Sequence, residues 1–99
     1  MERGGCTYIL TNERHTVLYT GVTSDLQARI QEHKSKFYPN SFTAKYNCTK
    51  LVYFECFQSI EEAIAREKNL KNWKKDWKVE LISQNNPNWN DLSEEILKW

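Results

Sequence analysis

Glycine and proline are scarce in this chain, three and two among 99 residues, and there are no repeats or low-complexity tracts. That scarcity excludes a collagen-like or disordered chain. No apolar run approaches the ~20 residues a membrane-spanning helix needs. The opening Met1-Glu2-Arg3-Gly4-Gly5 lacks the apolar stretch of a signal peptide. Cysteine is sparse too: Cys6, Cys48 and Cys56 form no CxxC pair and no zinc spacing with His15 or His33. The odd count reads as three reduced thiols in a cytoplasmic protein. The Walker loop, GxGxxG, GxSxG and HExxH are all absent, which removes the common phosphate-loop, hydrolase and zinc-protease signatures.

What is present describes an ordinary globular chain, 39% hydrophobic and 27% charged. Its four tryptophans, five tyrosines and four phenylalanines point to a core of large rings. The length suits one domain over residues 1–99, with a core over about 5–83 and a C-terminal extension over 84–99. A net charge of +1 names no partner, but its distribution says more. Residues 27–50 carry five Lys/Arg against one Glu, and residues 62–78 carry six against three acids. Two basic stretches on a near-neutral chain can present a phosphate-binding face; a solvated surface is the plainer reading.

Cys6–Leu10 is a short β-branched and aromatic run, and Val17–Thr20 a second, joined by a hydrophilic connection as in an antiparallel hairpin. The second strand is expected to stop at Gly21. Thr23, Ser24 and Asp25 offer N-cap oxygens for a helix from about Asp25 to Lys36, with Leu26, Ile30 and Phe37 on one face. Residues 38–49 read as irregular. Leu51–Phe57 is nearly apolar throughout and is expected to be the central strand. Ser59-Ile60-Glu61-Glu62 is a capping box opening a helix to about Lys71–Asn72. A shorter helix over about Lys75–Ser83 follows, with Trp77, Leu81 and Ile82 as its apolar positions, then a last turn or two in the acidic tail. His15 reads as a turn residue. The order β-β-α-β-α-α defines an α+β fold, a small three-stranded antiparallel sheet flanked by helices.

Several residues break their local pattern. The inward stripe of the helix after Ser59 reads Ile60, Ala63, Ile64, Glu67, Leu70. A carboxylate there is paired, protonated or bound to a cation, or it lies at the stripe's edge beside Arg66, Lys68 or Lys71. Arg29 and His33 are one helical turn apart beside the Leu26/Ile30 face. They are either an anion-binding guanidinium with a titratable imidazole, or a solvated flank in which Arg29 pairs with Asp25 or Glu32. Tyr8 and Tyr19 can project from one face of the hairpin, as packing residues or as site phenols. Gly21 permits either a turn or the close approach of a ligand.

In this order, Thr7-Tyr8, Tyr19-Thr20-Gly21, Arg29-x-x-x-His33 and a capped helix bearing Glu67 resemble the GIY-YIG nuclease superfamily, specifically its small single-domain bacterial members. The likeness covers roughly residues 5–80. The stretches Leu18–Thr23, Arg29–His33 and Glu62–Lys68 carry the single-domain character. Cys6 and Thr20 stand where the family letters are Gly and Ile. The resemblance implies a metal-dependent endonuclease hydrolysing DNA phosphodiester bonds in the cytoplasm. Glu67 would hold one Mg²⁺ or Mn²⁺ ion and Arg29 would neutralise phosphoryl charge. Tyr19, or less readily Tyr8, would align or deprotonate the attacking water, with His33 as the acceptor. No added recognition domain accompanies these motifs. Affinity for DNA would therefore come from Lys34, Lys36, Lys45, Lys71 and their neighbours on the backbone, which makes the choice structural rather than sequence-specific. Two other readings compete: a nucleic-acid-binding module that does not cleave, and a protein-interaction domain built on the Trp-rich segment 73–99.

Overall fold

The computed structural model describes residues 4–99. The run after Gly4 forms β1 (Gly5–Thr11), and the chain turns back through residues 12–17 into β2 (Leu18–Thr23). The turn is held by Asn12, whose Oδ1 accepts from the backbone N–H groups of Thr16 at 2.9 Å and Val17 at 3.0 Å. His15 sits there in the left-handed region at φ 57°, as a turn residue. β2 does not end at Gly21. It continues to Thr23, with Tyr8 opposite Gly21 and Cys6 opposite Thr23.

Asp25 caps α1 (Leu26–Ser35), its side chain accepting from the Ala28 N–H. The helix ends at Lys36 in the left-handed conformation, which puts Phe37 beyond the expected apolar face and into solvent. The segment read as irregular contains a one-turn helix, α2 (Phe42–Lys45), capped by Ser41. β3 (Lys50–Phe57) pairs antiparallel with β1, giving the order β2-β1-β3. β1, not β3, is therefore the central strand. The physical reason is burial on both faces: every β1 residue is buried, whereas β3 becomes partly exposed from Phe54 onward. Ser59 caps α3 (Ile60–Lys71), its hydroxyl accepting from the Glu62 N–H at 3.2 Å. α4 (Lys75–Asn85) and α5 (Ser93–Leu97) complete the chain.

The sheet separates two clusters. On one face Cys6, Tyr8 and Leu10 pack with Leu26 and Ile30 of α1 and with Ile96 of α5. On the other, Ile9, Val52 and Tyr53 pack with Ile82 of α4. α3 lies on this second face, where the buried Thr7 hydroxyl donates to the Ala63 carbonyl at 2.7 Å. Ala63 and Leu70 are its buried positions; Ile64 and, on α4, Trp77 are exposed rather than inward.

Cys6 and Cys56 face each other across β1 and β3 and are joined as a disulfide, leaving Cys48 as a buried thiol. The reading of three reduced thiols is corrected on this point, and with it goes the compartment argument drawn from unpaired cysteines. The registration that creates the pair is long-range, 50 residues apart in the chain. The outer edge of β3 is covered at its start by the C-terminal segment. The Leu92 N–H donates to the Leu51 carbonyl at 2.8 Å, the Asn86 amide donates to the Val52 carbonyl at 3.1 Å, and Asp91 accepts from the Leu51 N–H. No helix among the described residues is long and apolar enough to cross a membrane.

Candidate active site

Tyr8 and Tyr19 leave the same face of the hairpin, their ring centroids 6.4 Å apart. Gly21 makes that arrangement possible. A Cβ at Gly21 would lie 2.5 Å from both Cζ and the hydroxyl oxygen of Tyr8, and 3.0 Å from a ring carbon of Tyr19. The close approach that Gly21 allows is thus made by the protein's own phenol, in an extended strand without positive φ.

α1 lies over this face and supplies the imidazole. His33 Nε2 is 3.0 Å from the Tyr8 hydroxyl, and its Nδ1 is 2.9 Å from Oγ1 of Thr43 on α2. Burial first, then the neighbouring Arg29 guanidinium, lowers the His33 pKa against the opposing pull of Glu32, so the ring is neutral near pH 7. Burial, then Tyr19, raises the Tyr8 pKa well above the ordinary phenol value, while Arg29 acts in the opposite direction. A phenol held protonated beside a neutral imidazole donates to Nε2, which leaves the Nδ1–H to donate to Thr43. His33 therefore serves Tyr8, not Tyr19. The Tyr19 ring centroid is 6.0 Å from that of His33, and among the described residues no hydrogen-bond partner engages its hydroxyl.

A cavity of about 150 Å³ opens beside these groups, lined by Tyr19, Arg29, Glu32, His33, Lys36 and Thr43 together with Tyr38, Ser41 and Phe42. Three of the five expected site residues, Tyr19, Arg29 and His33, meet on it. Tyr8 is fully buried and reaches it through His33. The Arg29 guanidinium is held by Glu32 at 3.1 Å, which settles its pairing within the helix. Glu67 is not among the lining residues. It belongs to α3, on the opposite face of the sheet, and pairs with Lys71 at 2.9 Å. Its side chain is 15% exposed against 52% for Lys71, so the carboxylate is turned toward the protein and the lysine toward solvent.

Among the described residues no three His, Cys, Asp or Glu converge to form a metal-ligand cluster. A lone carboxylate is a donor set that does not suit Zn²⁺. It does suit a hydrated Mg²⁺ or Mn²⁺, whose remaining positions go to water and phosphate oxygens. Of the expected backbone-binding lysines, Lys36 lines the cavity and donates to Asn47, Lys45 is exposed, Lys34 is engaged by Asp91, and Lys71 by Glu67. Thr43 is the group that sequence reading missed. Its signal was Ser41 after Pro39-Asn40, an N-cap residue announcing a short helix.

Known proteins resemble this chain over most of its length. The GIY-YIG catalytic domain family matches residues 4–80. A UPF0213 protein of Syntrophus aciditrophicus is 37% identical over 78 residues, covering 79% of this chain and 88% of its own. A UPF0213 protein of Clostridium perfringens is 41% identical over 70 residues, covering 67% of this chain and 70% of its own. The solution NMR structure of a UPF0213 protein from Bacillus halodurans superposes with a TM-score of 0.57 at 28% identity, covering 91% of this chain and 94% of that one. With the two tyrosines, the arginine and the histidine on one side of the sheet and the match spanning most of the sequence, the chain belongs to the GIY-YIG family of the nuclease superfamily.

Proposed function

We propose that the protein is a divalent-metal-dependent endonuclease that hydrolyses DNA phosphodiester bonds and selects its substrate by structure rather than by base sequence. The observation that carries this reading is the meeting of Tyr19, Arg29 and His33 around one cavity, with Tyr8 bonded to His33 beneath it, in a chain of a catalytic-domain family.

A scissile phosphate entering the cavity meets the Arg29 guanidinium, which exchanges its contact with Glu32 for the non-bridging oxygens and offsets the charge that grows there. Tyr19, with its free hydroxyl on the cavity wall, orients the attacking water. The water's oxygen joins phosphorus as the P–O3′ bond breaks, the water's proton passing to solvent at the open cavity and the 3′ oxygen taking up a proton from solvent to leave as a hydroxyl. His33 and Tyr8 fix the position of Tyr19 from below through ring contacts at 6.0 and 6.4 Å. Lys36 and Lys45 hold flanking phosphates. Glu67 is the residue that would hold Mg²⁺ or Mn²⁺ in exchange for Lys71, and because α3 lies on the other face of the sheet it would do so only for DNA that reaches past the sheet edge from the Arg29 cavity. When bound, the ion supplies Lewis-acid polarisation of a phosphate oxygen and steadies the leaving oxygen.

The test is cleavage of plasmid, branched, nicked and single-stranded DNA by the purified chain with Mg²⁺ or Mn²⁺. The expected result is metal-dependent cleavage that disappears in Arg29→Ala and Glu67→Gln while their circular dichroism is unchanged. Equal inactivity of wild type and both variants on every substrate would overturn the proposal. The Glu67–Lys71 ion pair favours a second reading, a module that binds nucleic acid without cutting it. Salt-sensitive, metal-independent binding that is indifferent to Glu67→Gln would support that one.

A further inference from the structure

Four large aromatic side chains stand in solvent on the segment joining α1 to β3: Phe37 is 65% exposed, Tyr38 56%, Phe42 47% and Tyr46 49%. They are neighbours, not scattered rings. Phe42 stacks on the cavity tyrosine, Tyr19, at 5.9 Å and an interplanar angle of 29°, and Tyr46 lies 4.7 Å beyond Phe42. Phe37 and Tyr38 meet edge to face at 4.9 Å, and Tyr38 shares the cavity wall with Phe42. Exposed apolar patches of this kind are uncommon on a small protein unless something binds them.

The segment does not present its rings through looseness. It begins at Lys36 (φ 53°) and turns again at Asn47 (φ 56°), two left-handed residues linked by a hydrogen bond from the Lys36 ammonium to the Asn47 side-chain oxygen. Thr43 and Cys48 anchor it from the inside, both buried. The rings are thus held outward on a fastened support, which lowers the ordering cost of binding a flat ligand.

We infer that this aromatic surface is a stacking platform for the unpaired bases of single-stranded DNA, continuous with the cavity that receives the phosphate. The inference rests on the proposed nuclease reading and deepens it by naming the substrate class. Two features select this occupant. Lys36 and Lys45 interleave with the rings, so a polyanion with flat apolar groups matches both the charge and the surface. The platform also reaches the cavity directly through the Phe42–Tyr19 stack, and a duplex, whose bases are already stacked internally, has no faces to offer it.

The test is fluorescence anisotropy without divalent metal, so that no cleavage enters. The probes are a mixed-sequence single strand, its duplex, and an abasic strand of the same length carrying the same phosphates. The intact single strand should bind at least tenfold tighter than the other two. Phe37→Ala and Tyr46→Ala should each weaken it by roughly tenfold, with abasic binding unchanged, and Tyr46→Trp should restore the affinity. Thermal melting establishes that both alanine variants fold. Equal affinity for the three probes, or alanine variants that bind the intact strand as wild type does, would overturn the platform. Single-strand binding lost in these variants but never followed by cutting with Mg²⁺ would retain the platform and refute the nuclease. Cleavage of duplex indifferent to the rings would do the reverse.

Discussion

Tyr8 and Gly21 stand opposite each other in the β1–β2 pairing, and the space a Gly21 side chain would occupy is filled by the Tyr8 phenol, 2.5 Å from an ideal Cβ. Gly21→Ala must push that ring aside. Because the phenol is wedged against His33, the change is expected to cost about 1–3 kcal/mol. Cleavage should fall by about tenfold or more, since mispositioned site groups are costly. Thermal melting and single-turnover cleavage check both numbers. An alanine variant equal to wild type would show that the ring has somewhere else to go.

One residue earlier, Thr20 is 5% exposed and its hydroxyl has no hydrogen-bond partner among the described residues. Replacing an unpaired buried hydroxyl by a methyl of the same shape removes a desolvation penalty. Thr20→Val should therefore stabilise by about 1 kcal/mol, visible as a rise in Tm of about 4–8 °C for a chain of this size. A fall in Tm would reveal a partner for the hydroxyl.

The Glu67–Lys71 pair predicts opposite metal responses. Lys71→Ala removes the competitor for the carboxylate and should lower the Mg²⁺ concentration needed for half-maximal cleavage by about 2- to 5-fold, the scale of a half-exposed ion pair. Glu67→Gln should leave no saturable metal response. Identical metal titrations in wild type and Lys71→Ala would remove Lys71 from the site.

His33 predicts a pH dependence of stability. Its pKa in the fold is lowered from the ordinary 6.5, burial being the main cause. Between that lowered value and 6.5 the unfolded chain binds more protons than the folded one, so the fold is favoured as pH rises. This contribution is complete above the unfolded pKa, is lost as pH falls below it, and levels off under the folded value. The difference in Tm between wild type and His33→Gln should therefore vary as pH falls below the ordinary histidine pKa and be flat well above it. A constant difference over the whole range would contradict a depressed imidazole.

The bridge between Cys6 and Cys56 closes a loop of 50 residues and ties the central strand to β3. Opening such a loop costs about 2–4 kcal/mol. A phosphine reductant should lower the Tm by about 10 °C or more, and Cys6→Ala/Cys56→Ala should be insensitive to it. Wild-type melting unaffected by reductant would indicate that the bridge contributes nothing.

Local chemistry made much of the fold legible. Ser59 announced its helix because a cap is a contact over three residues, and it takes the Glu62 N–H as the capping box requires; of the three cap oxygens Thr23, Ser24 and Asp25 offered, Asp25 takes the Ala28 N–H. Tyr8, Tyr19, Arg29 and His33 were joined into a set by the family resemblance; strand alternation and one turn of helix allowed the juxtaposition but left each open to a packing or solvated role. The identity of the central strand was not. Thr7 and Thr11 look polar in sequence, yet both are fully buried with their hydroxyls satisfied by the carbonyls of Ala63 and Val17, so β1 disguises its own burial. The Cys6–Cys56 bridge and the Thr43–His33 contact were equally hidden, since each depends on how separate segments register against one another. Phe37, Ile64 and Trp77 failed for another reason: apolar periodicity assumes that large side chains go inward, and these do not.

The segment after residue 84 lies beyond residues 4–80, the span that matches the GIY-YIG catalytic domain, yet it occupies hydrogen-bonding positions along the outer rim of β3 through Asn86, Asp91 and Leu92. A rim closed in this way offers no template there for another chain to add on. Trimming the protein to its family boundary would uncover that ladder and leave an open strand edge to which another chain could add.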